Sequence, residues 1–257
     1  MLYVGTSGWQ YRHWRARFYP QGCPQKAWLD YYAQRFATVE INNTFYRLPP
    51  RETFEGWAKR FPPDEIIAVK ASRYLTHIKR LREPEEPVKR LLEHAQPLGE
   101  RLGPVLVQLP PNLTVEVDRL DATLGAFPRA VRVAVEPRHE SWFVDEVRAV
   151  LQRHNAALCL ADRGSRMITP AWRTADWGYV RFHFGRAQPW GCYGRDALAR
   201  WVERVCDLWQ PDDDVFVYFN NDMEGCALRD AVVFARLAER RGLHPTRTPD
   251  LADTPVG

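Results

Sequence analysis

Four residues carry the chemistry that this sequence can offer. Glu40 stands in Val39-Glu40-Ile41-Asn42, Lys70 ends Ile66-Ile67-Ala68-Val69-Lys70, Glu136 ends Val133-Ala134-Val135-Glu136, and His183 follows Tyr179-Val180-Arg181-Phe182. Each sits at the close of a β-branched or apolar run. Two carboxylates can serve as acid and base when a cation keeps one ionised and an apolar wall keeps the other protonated. Lys70 and Arg181 are the cations at hand, and an imidazole such as His183 moves protons near neutral pH. Asn42, Gln108, Arg138, His139, Arg181 and Asn220 lie at equivalent points and supply groups that bind a substrate. Trp9 and Tyr11 open a loop running to Tyr19 that mixes rings with arginines, a composition suited to stacking on a base or sugar beside a phosphate.

Blander roles compete with these. Glu40 with Lys70, or Glu136 with Arg181, can be buried ion pairs that only neutralise one another. A loop histidine such as His139 is commonly a helix cap, and Trp9, Trp14 and Phe18 can form a small core beneath their loop. The only credible metal ligands are Glu40, Glu136, Asp162 and His183. No H-E-x-x-H, H-x-H or D-x-D spacing supports them, so the cofactor stays undetermined and a divalent metal is not favoured. Gly5-Thr6-Ser7-Gly8 lacks the later glycines of a dinucleotide fingerprint and the Gly-Lys-Ser/Thr ending of a phosphate loop, and Ser7 lacks a G-x-S-x-G frame.

These residues need a scaffold that brings strand ends together. Eight strand-like runs can be read: Tyr3 to Ser7, Thr38 to Thr44, Ile66 to Ser72, Val105 to Leu109, Val131 to Glu136, Ala157 to Asp162, Tyr179 to Phe184 and Val215 to Asn220. Helical stripes at spacings of three and four follow most of them, as at Trp28, Leu29, Tyr32, Ala33 and Phe36, and at Leu198, Trp201, Val202, Val205, Leu208 and Trp209. Others lie at Phe54 to Phe61, Val117 to Phe127, Val147 to His154 and Leu228 to Ala235. Eight strands alternating with helices over this length predict an α/β fold, a TIM-type (β/α)8 barrel, as one domain over residues 1–257. Arg163 to Asp176 has Gly164, Pro170 and little periodicity, so the sixth helix is expected to be short or missing. Links from strand to helix are long and the reverse links short. A barrel gathers the long links at the carboxyl ends of its strands, where barrel enzymes place their chemistry. Alternation along each strand turns Glu40, Asn42, Lys70, Gln108, Glu136, Arg181, His183 and Asn220 inward, into one mouth.

The 257 residues are 45% hydrophobic and 26% charged, a globular composition. No apolar run reaches the roughly 18 residues of a membrane span and no leader segment precedes Leu2, so no membrane association and a cytoplasmic location are expected. The five cysteines are scattered and odd in number, which predicts reduced thiols rather than a disulfide framework. Net charge is +4, with 31 arginines against five lysines. Guanidinium forks suit phosphate and carboxylate groups.

Several ordered motifs together are specific: Gly5-Thr6-Ser7-Gly8-Trp9 with Tyr11 and Trp14, Phe18-Tyr19-Pro20, Val39-Glu40-Ile41-Asn42-Asn43-Thr44-Phe45-Tyr46, Val69-Lys70-Ala71 with Thr76-His77, Gln108-Leu109-Pro110-Pro111, Glu136-Pro137-Arg138-His139 with Trp142, Tyr179-Val180-Arg181-Phe182-His183, and Tyr218-Phe219-Asn220-Asn221. With these the chain resembles the YecE-like family, domain of unknown function 72, from Val4 to about Ala235. The resemblance implies a TIM-type barrel and assigns no reaction. The residues themselves favour a hydrolase of an anionic, phosphate-bearing substrate, a nucleotide or nucleic-acid-like molecule. A carbohydrate-active enzyme using Glu40 and Glu136, or a non-catalytic binding module for a small anionic ligand, are the alternatives.

Overall fold

β1 (Leu2–Thr6) pairs in parallel with both β2 (Thr38–Ile41) and β8 (Val215–Phe219), so the sheet has no free edge. The order is sequential around a closed barrel, through β3 (Ile66–Lys70), β4 (Leu102–Gln108), β5 (Val133–Glu136), β6 (Ala157–Asp162) and β7 (Gly178–Phe182). The structure is a computed structural model, and it describes residues 1–256. It is the (β/α)8 barrel that the strand and helix alternation predicts. At Gly5 a Cβ would lie 2.3 Å from the Thr38 carbonyl oxygen, so β1 and β2 can approach only where a side chain is lacking.

The helices are α1 (Trp28–Ala33), α2 (Asn43–Tyr46), α3 (Arg51–Arg60), α4 (Glu85–Ala95), α5 (Val117–Gly125), α6 (Asp145–Arg153), α7 (Arg195–Leu208) and α8 (Cys226–Glu239). Two differ from the sequence reading. α2 takes up Asn43 and Thr44, which the β2 run was expected to hold, because the chain turns sharply at Asn42. α4 carries buried Val88, Leu91 and Ala95, a stripe too short and too close to Pro84 and Pro87 to stand out.

Between β6 and β7 no helix forms among the described residues. Thr169 Oγ1 accepts from the Ala161 amide at 3.1 Å, and Thr174 Oγ1 accepts from Leu158 N at 2.8 Å while donating to the Ala156 carbonyl at 2.7 Å. The segment thus runs as extended chain along β6, its two buried threonines satisfying strand amides that a helix would leave free.

One core lies between barrel and helices and a second fills the barrel. The inner one stacks Trp177 and Phe216 below Ala68, Leu106, Ala134, Cys159, Tyr179 and Tyr218. Two residues further along, the inward positions turn polar at Lys70, Gln108, Glu136, Arg181 and Asn220, and the ring begins there.

The cysteines are not all reduced, contrary to what their odd number and scatter predict. Cys192, at the end of the β7–α7 loop, is disulfide-bonded to Cys226, the first residue of α8, while Cys23, Cys159 and Cys206 are free. The two partners are 34 positions apart, and only the adjacency of β7 and β8 loops in the closed barrel brings them together. No helix among the described residues is long and apolar enough to cross a membrane.

Candidate functional site at the carboxyl end of the barrel

Arg181 organises the mouth. β7 turns it inward one layer above Tyr179, and it is 1% exposed. Its Nη2 donates to Glu40 Oε1 at 2.8 Å and its Nη1 to Glu136 Oε2 at 2.5 Å. Glu40 also accepts from Ser7 Oγ at 2.7 Å and from Tyr179 OH at 2.6 Å. Glu136 accepts from Gln108 Nε2 at 3.1 Å, from His183 Nε2 at 2.7 Å and from Arg138 Nη2 at 2.9 Å. Register explains the Gln108 contact, since Gln108 and Glu136 are directly paired across β4 and β5.

Burial pushes both carboxyls up, but Arg181 and the donors around them more than offset it. Glu40 is held below the usual carboxylate range and Glu136 well below it. Neither is an acid with a proton to give near neutral pH. His183 is lowered by burial, against the pull of Glu136, so its imidazole is neutral. A carboxylate only accepts, so Nε2 carries the hydrogen and Nδ1 keeps its lone pair, 3.5 Å from Asn220 Nδ2. A carboxylate that fixes the tautomer of an imidazole base is a recurrent device of proton-transfer sites.

Lys70 contrasts with the arginines. It is 8% exposed, and its Nζ sits 4.2 Å from the centre of the Phe45 ring; among the described residues no side chain pairs with it directly, and Glu40 and Glu136 act on it only at longer range. Burial, reinforced by Arg181, lowers its pKa to about 8. The same positive field reaches His77, lowered first by burial and then by Lys70, Arg73, Arg138 and Arg80. Two carboxylates therefore balance Arg181 and Arg138, and the ammonium of Lys70 is surplus.

The remaining sequence candidates divide. Asn42 reaches the mouth with a buried Oδ1 that has no partner, and it lines a cleft of about 180 Å³ with Ser7, Trp9 and Tyr11. Trp9 is itself packed edge-on against Trp57 and Phe61, and Tyr11 donates to the Ser7 carbonyl at 2.6 Å. His139 caps a short turn, its Nδ1 accepting from the Ser141 amide at 3.2 Å, and with Arg138 it lines a second cleft of about 470 Å³ beside Phe143, Arg163 and Ile168. Asp162 faces away from the mouth, accepting from Tyr193 OH at 2.8 Å and Trp201 Nε1 at 2.7 Å. With Asp162 outside and both glutamates held by arginines, Glu40, Glu136, Asp162 and His183 do not form one ligand set, and among the described residues no other three such groups do.

Ser7, set aside in the sequence as a nucleophile, and Tyr179, which the sequence reading does not name as a site residue, both belong to the network. Tyr179 was within reach, because it shares the inward face of β7 with Arg181. Phe45, in the short α2, and His77, in the turn after β3, stand edge to face at 4.9 Å, a pairing that the sequence does not dictate. The rim is apolar as well as cationic. Tyr46, Tyr74, Ile78, Ile168, Phe184 and Met223 are exposed, and each lies in a segment that follows the carboxyl end of a strand, Tyr46 at the end of α2 and Ile168 in the helix-free β6–β7 connection.

The fold and the mouth define a TIM-type barrel with a buried carboxylate–guanidinium network at the carboxyl ends of its strands. The chain belongs to the family described as protein of unknown function DUF72, whose model matches residues 3–253. It is similar to the UPF0759 protein YunF of Bacillus subtilis strain 168, 24% identical over 88% of this chain and 91% of that one. It is 28% identical to the UPF0759 protein YecE of Escherichia coli K12 over 56% of this chain and 50% of that one. Among solved structures, a DUF72 family protein of Thermotoga maritima superposes with a TM-score of 0.81 at 28% identity, covering 93% of this chain and 99% of that one. One from Enterococcus faecalis reaches 0.79 at 21% identity, over 93% and 96%, a likeness of fold.

Proposed function

We propose that this barrel hydrolyses an anionic, phosphate-bearing substrate of the nucleotide or nucleic-acid type, bound over the strand ends. The observation that carries the reading is the surplus ammonium of Lys70, a buried cation with no counter-ion of its own. A buried charge without a partner costs stability, and a bound anion supplies the partner. Arg138, with 18% of its side chain exposed and only one carboxylate to hold, offers a fork to the same anion. His183 Nδ1 accepts a proton from an attacking water while Glu136 steadies the imidazole, and Lys70 and Arg138 face the charge that gathers on the phosphoryl oxygens. The exposed rings of the rim suit the flat part of a nucleotide.

Carbohydrate chemistry would need one protonated carboxyl group, and both Glu40 and Glu136 are held ionised. A phosphate reading makes Arg138 a better probe than Arg181, whose two amino groups are already engaged. Titration of inorganic phosphate and of a nucleoside monophosphate into the protein is expected to show binding that Arg138→Ala weakens by about 1.5–3 kcal/mol, the range for a hydrogen bond to a charged group. A screen of phosphomonoesters and phosphodiesters is expected to show turnover that His183→Ala abolishes. Binding of neither anion by the folded protein would overturn the reading, and binding without turnover would reduce it to a ligand-binding module.

A further inference from the structure

Lys70 differs from every other lysine in the chain. The other four, Lys26, Lys59, Lys79 and Lys89, stand on outer surfaces and loops, whereas Lys70 ends a barrel strand inside the polar mouth, its Nζ over the Phe45 ring and in no direct ion pair among the described residues. The ring face and the more distant charges of Glu40 and Glu136 favour the ammonium, but no acceptor takes its N–H donors directly, and burial with the neighbouring arginines outweighs them. His77 packs on the same Phe45 ring, with its Nδ1 engaged by Thr76 Oγ1 at 2.8 Å, which leaves its Nε2 for proton exchange.

We propose that Lys70 is an imine-forming nucleophile, and that the substrates of this site include an aldehyde or ketone that carries a phosphate. The inference rests on the anion reading above for the phosphate and adds the carbonyl group to it. Burial and the surrounding cations favour the free amine, and a lysine used as a nucleophile is activated in that manner. The neutral Nζ attacks the carbonyl carbon and forms the C–N bond. A proton passes from nitrogen to oxygen, and the resulting carbinolamine loses water to give the imine. The balance is amine plus carbonyl giving imine plus water, with no change of oxidation state. His77 carries the proton, and Arg138 with Arg73 and Arg80, which with Lys70 set the positive field at His77, meets the phosphate.

The small number of lysines makes the test direct. The full chain is incubated near neutral pH with glycolaldehyde phosphate and sodium cyanoborohydride, which reduces an imine to a stable secondary amine, and the modified peptides are mapped by mass. With a pKa of about 8 against an ordinary 10.5, the free-amine fraction of Lys70 exceeds that of an exposed lysine by about two orders of magnitude. Labelling of Lys70 is therefore expected to outpace that of Lys26, Lys59, Lys79 and Lys89 by at least about tenfold. Inorganic phosphate should slow it, and unphosphorylated glycolaldehyde should react more slowly. Lys70→Arg, which has no primary amine, should lose the label. Labelling of Lys70 no faster than of the other four, with phosphate still bound, overturns the imine and leaves the anion reading standing. Fast labelling that glycolaldehyde matches and phosphate does not slow keeps the imine and overturns the anion reading.

Discussion

Arg181 and Glu136 meet at 2.5 Å from Nη1 to Oε2, with neither side chain more than 1% exposed. Strand seven supplies the cation and strand five the anion, so the pair spans the barrel interior. The other amino group of Arg181 takes Glu40 of strand two. One guanidinium thus joins three strands that are not neighbours, and its planar fork is what allows two carboxylates to be held at once.

Replacing either acid by its amide leaves the buried guanidinium short of a counter-charge and turns an amide NH2 toward other donors. Glu136→Gln and Glu40→Gln are each expected to lower stability by about 3–5 kcal/mol, read from denaturant melts. Glu136, which holds Gln108, Arg138 and His183 as well as Arg181, should be the costlier of the two. Melts within about 0.5 kcal/mol of the parent would show that the network relaxes around the loss.

Much of this was readable in the residues, and the limit is physical. In Val39-Glu40-Ile41 the β-branched flanks must face the helices, so Glu40 must face in, and the same rule placed Glu136, Lys70 and Arg181. Alternation gives a direction and no partner. That Arg181 serves both glutamates depends on which strands stand opposite across the mouth, a property of closure rather than of any one strand. Asp162 shows the rule's ambiguity where a strand is apolar on both faces: Leu158 and Leu160 lie outward with it in the core between barrel and helices, and Asp162 meets Trp201 of α7. The Cys192–Cys226 bond was hidden because parity and spacing carry no information on which loops meet.

Glu65 has the opposite problem from Glu136. It is fully buried and neither carboxyl oxygen has a partner, and burial pushes its pKa up from 4.5 to about 9. Arg247 is close enough to oppose this but is engaged with Asp64 at 3.1 Å. A carboxyl raised in the folded state costs nothing below pH 4.5, where both states are protonated. The cost grows as the unfolded chain ionises and is complete above about pH 9. Glu65→Gln is expected to match the parent near pH 4 and to exceed it by about 3 kcal/mol at pH 7, measured by thermal melts at the two pH values. Equal melts at pH 7 would mean that the acid finds a partner in solution.

The Cys192–Cys226 bond closes a loop of 34 positions that includes all of α7. By chain entropy such a closure is worth about 3–4 kcal/mol. Cys226→Ser is expected to lower the melting temperature accordingly and to increase amide exchange first in residues 184–193, which lead from His183 to α7. A reductant added to the unsubstituted protein should reproduce the effect, and a melt indifferent to both would show that the helix packing of α7 and α8 already fixes the loop.

Lys70 links the chemistry of the mouth to stability. Its pKa is lowered from 10.5 to about 8, so the folded state resists its protonation. Below pH 8 the lysine is charged in both states and the cost to the fold is fully present. As pH rises from 8 to 10.5 the folded form gives up the proton first, and the cost disappears. Lys70→Met is therefore expected to stabilise the protein at pH 7 by up to about 3 kcal/mol, with the gain gone near pH 10.5. A bound anion should act in the same direction by another route, since it partners the ammonium instead of deleting it. Inorganic phosphate should raise the melting temperature of the parent at pH 7 and do so less as pH passes about 8, whereas Lys70→Arg, charged throughout, should show a flat response over that range. If Lys70→Met destabilises at pH 7, or if phosphate protects the parent equally at pH 7 and pH 10, the ammonium is not the surplus charge that the anion completes.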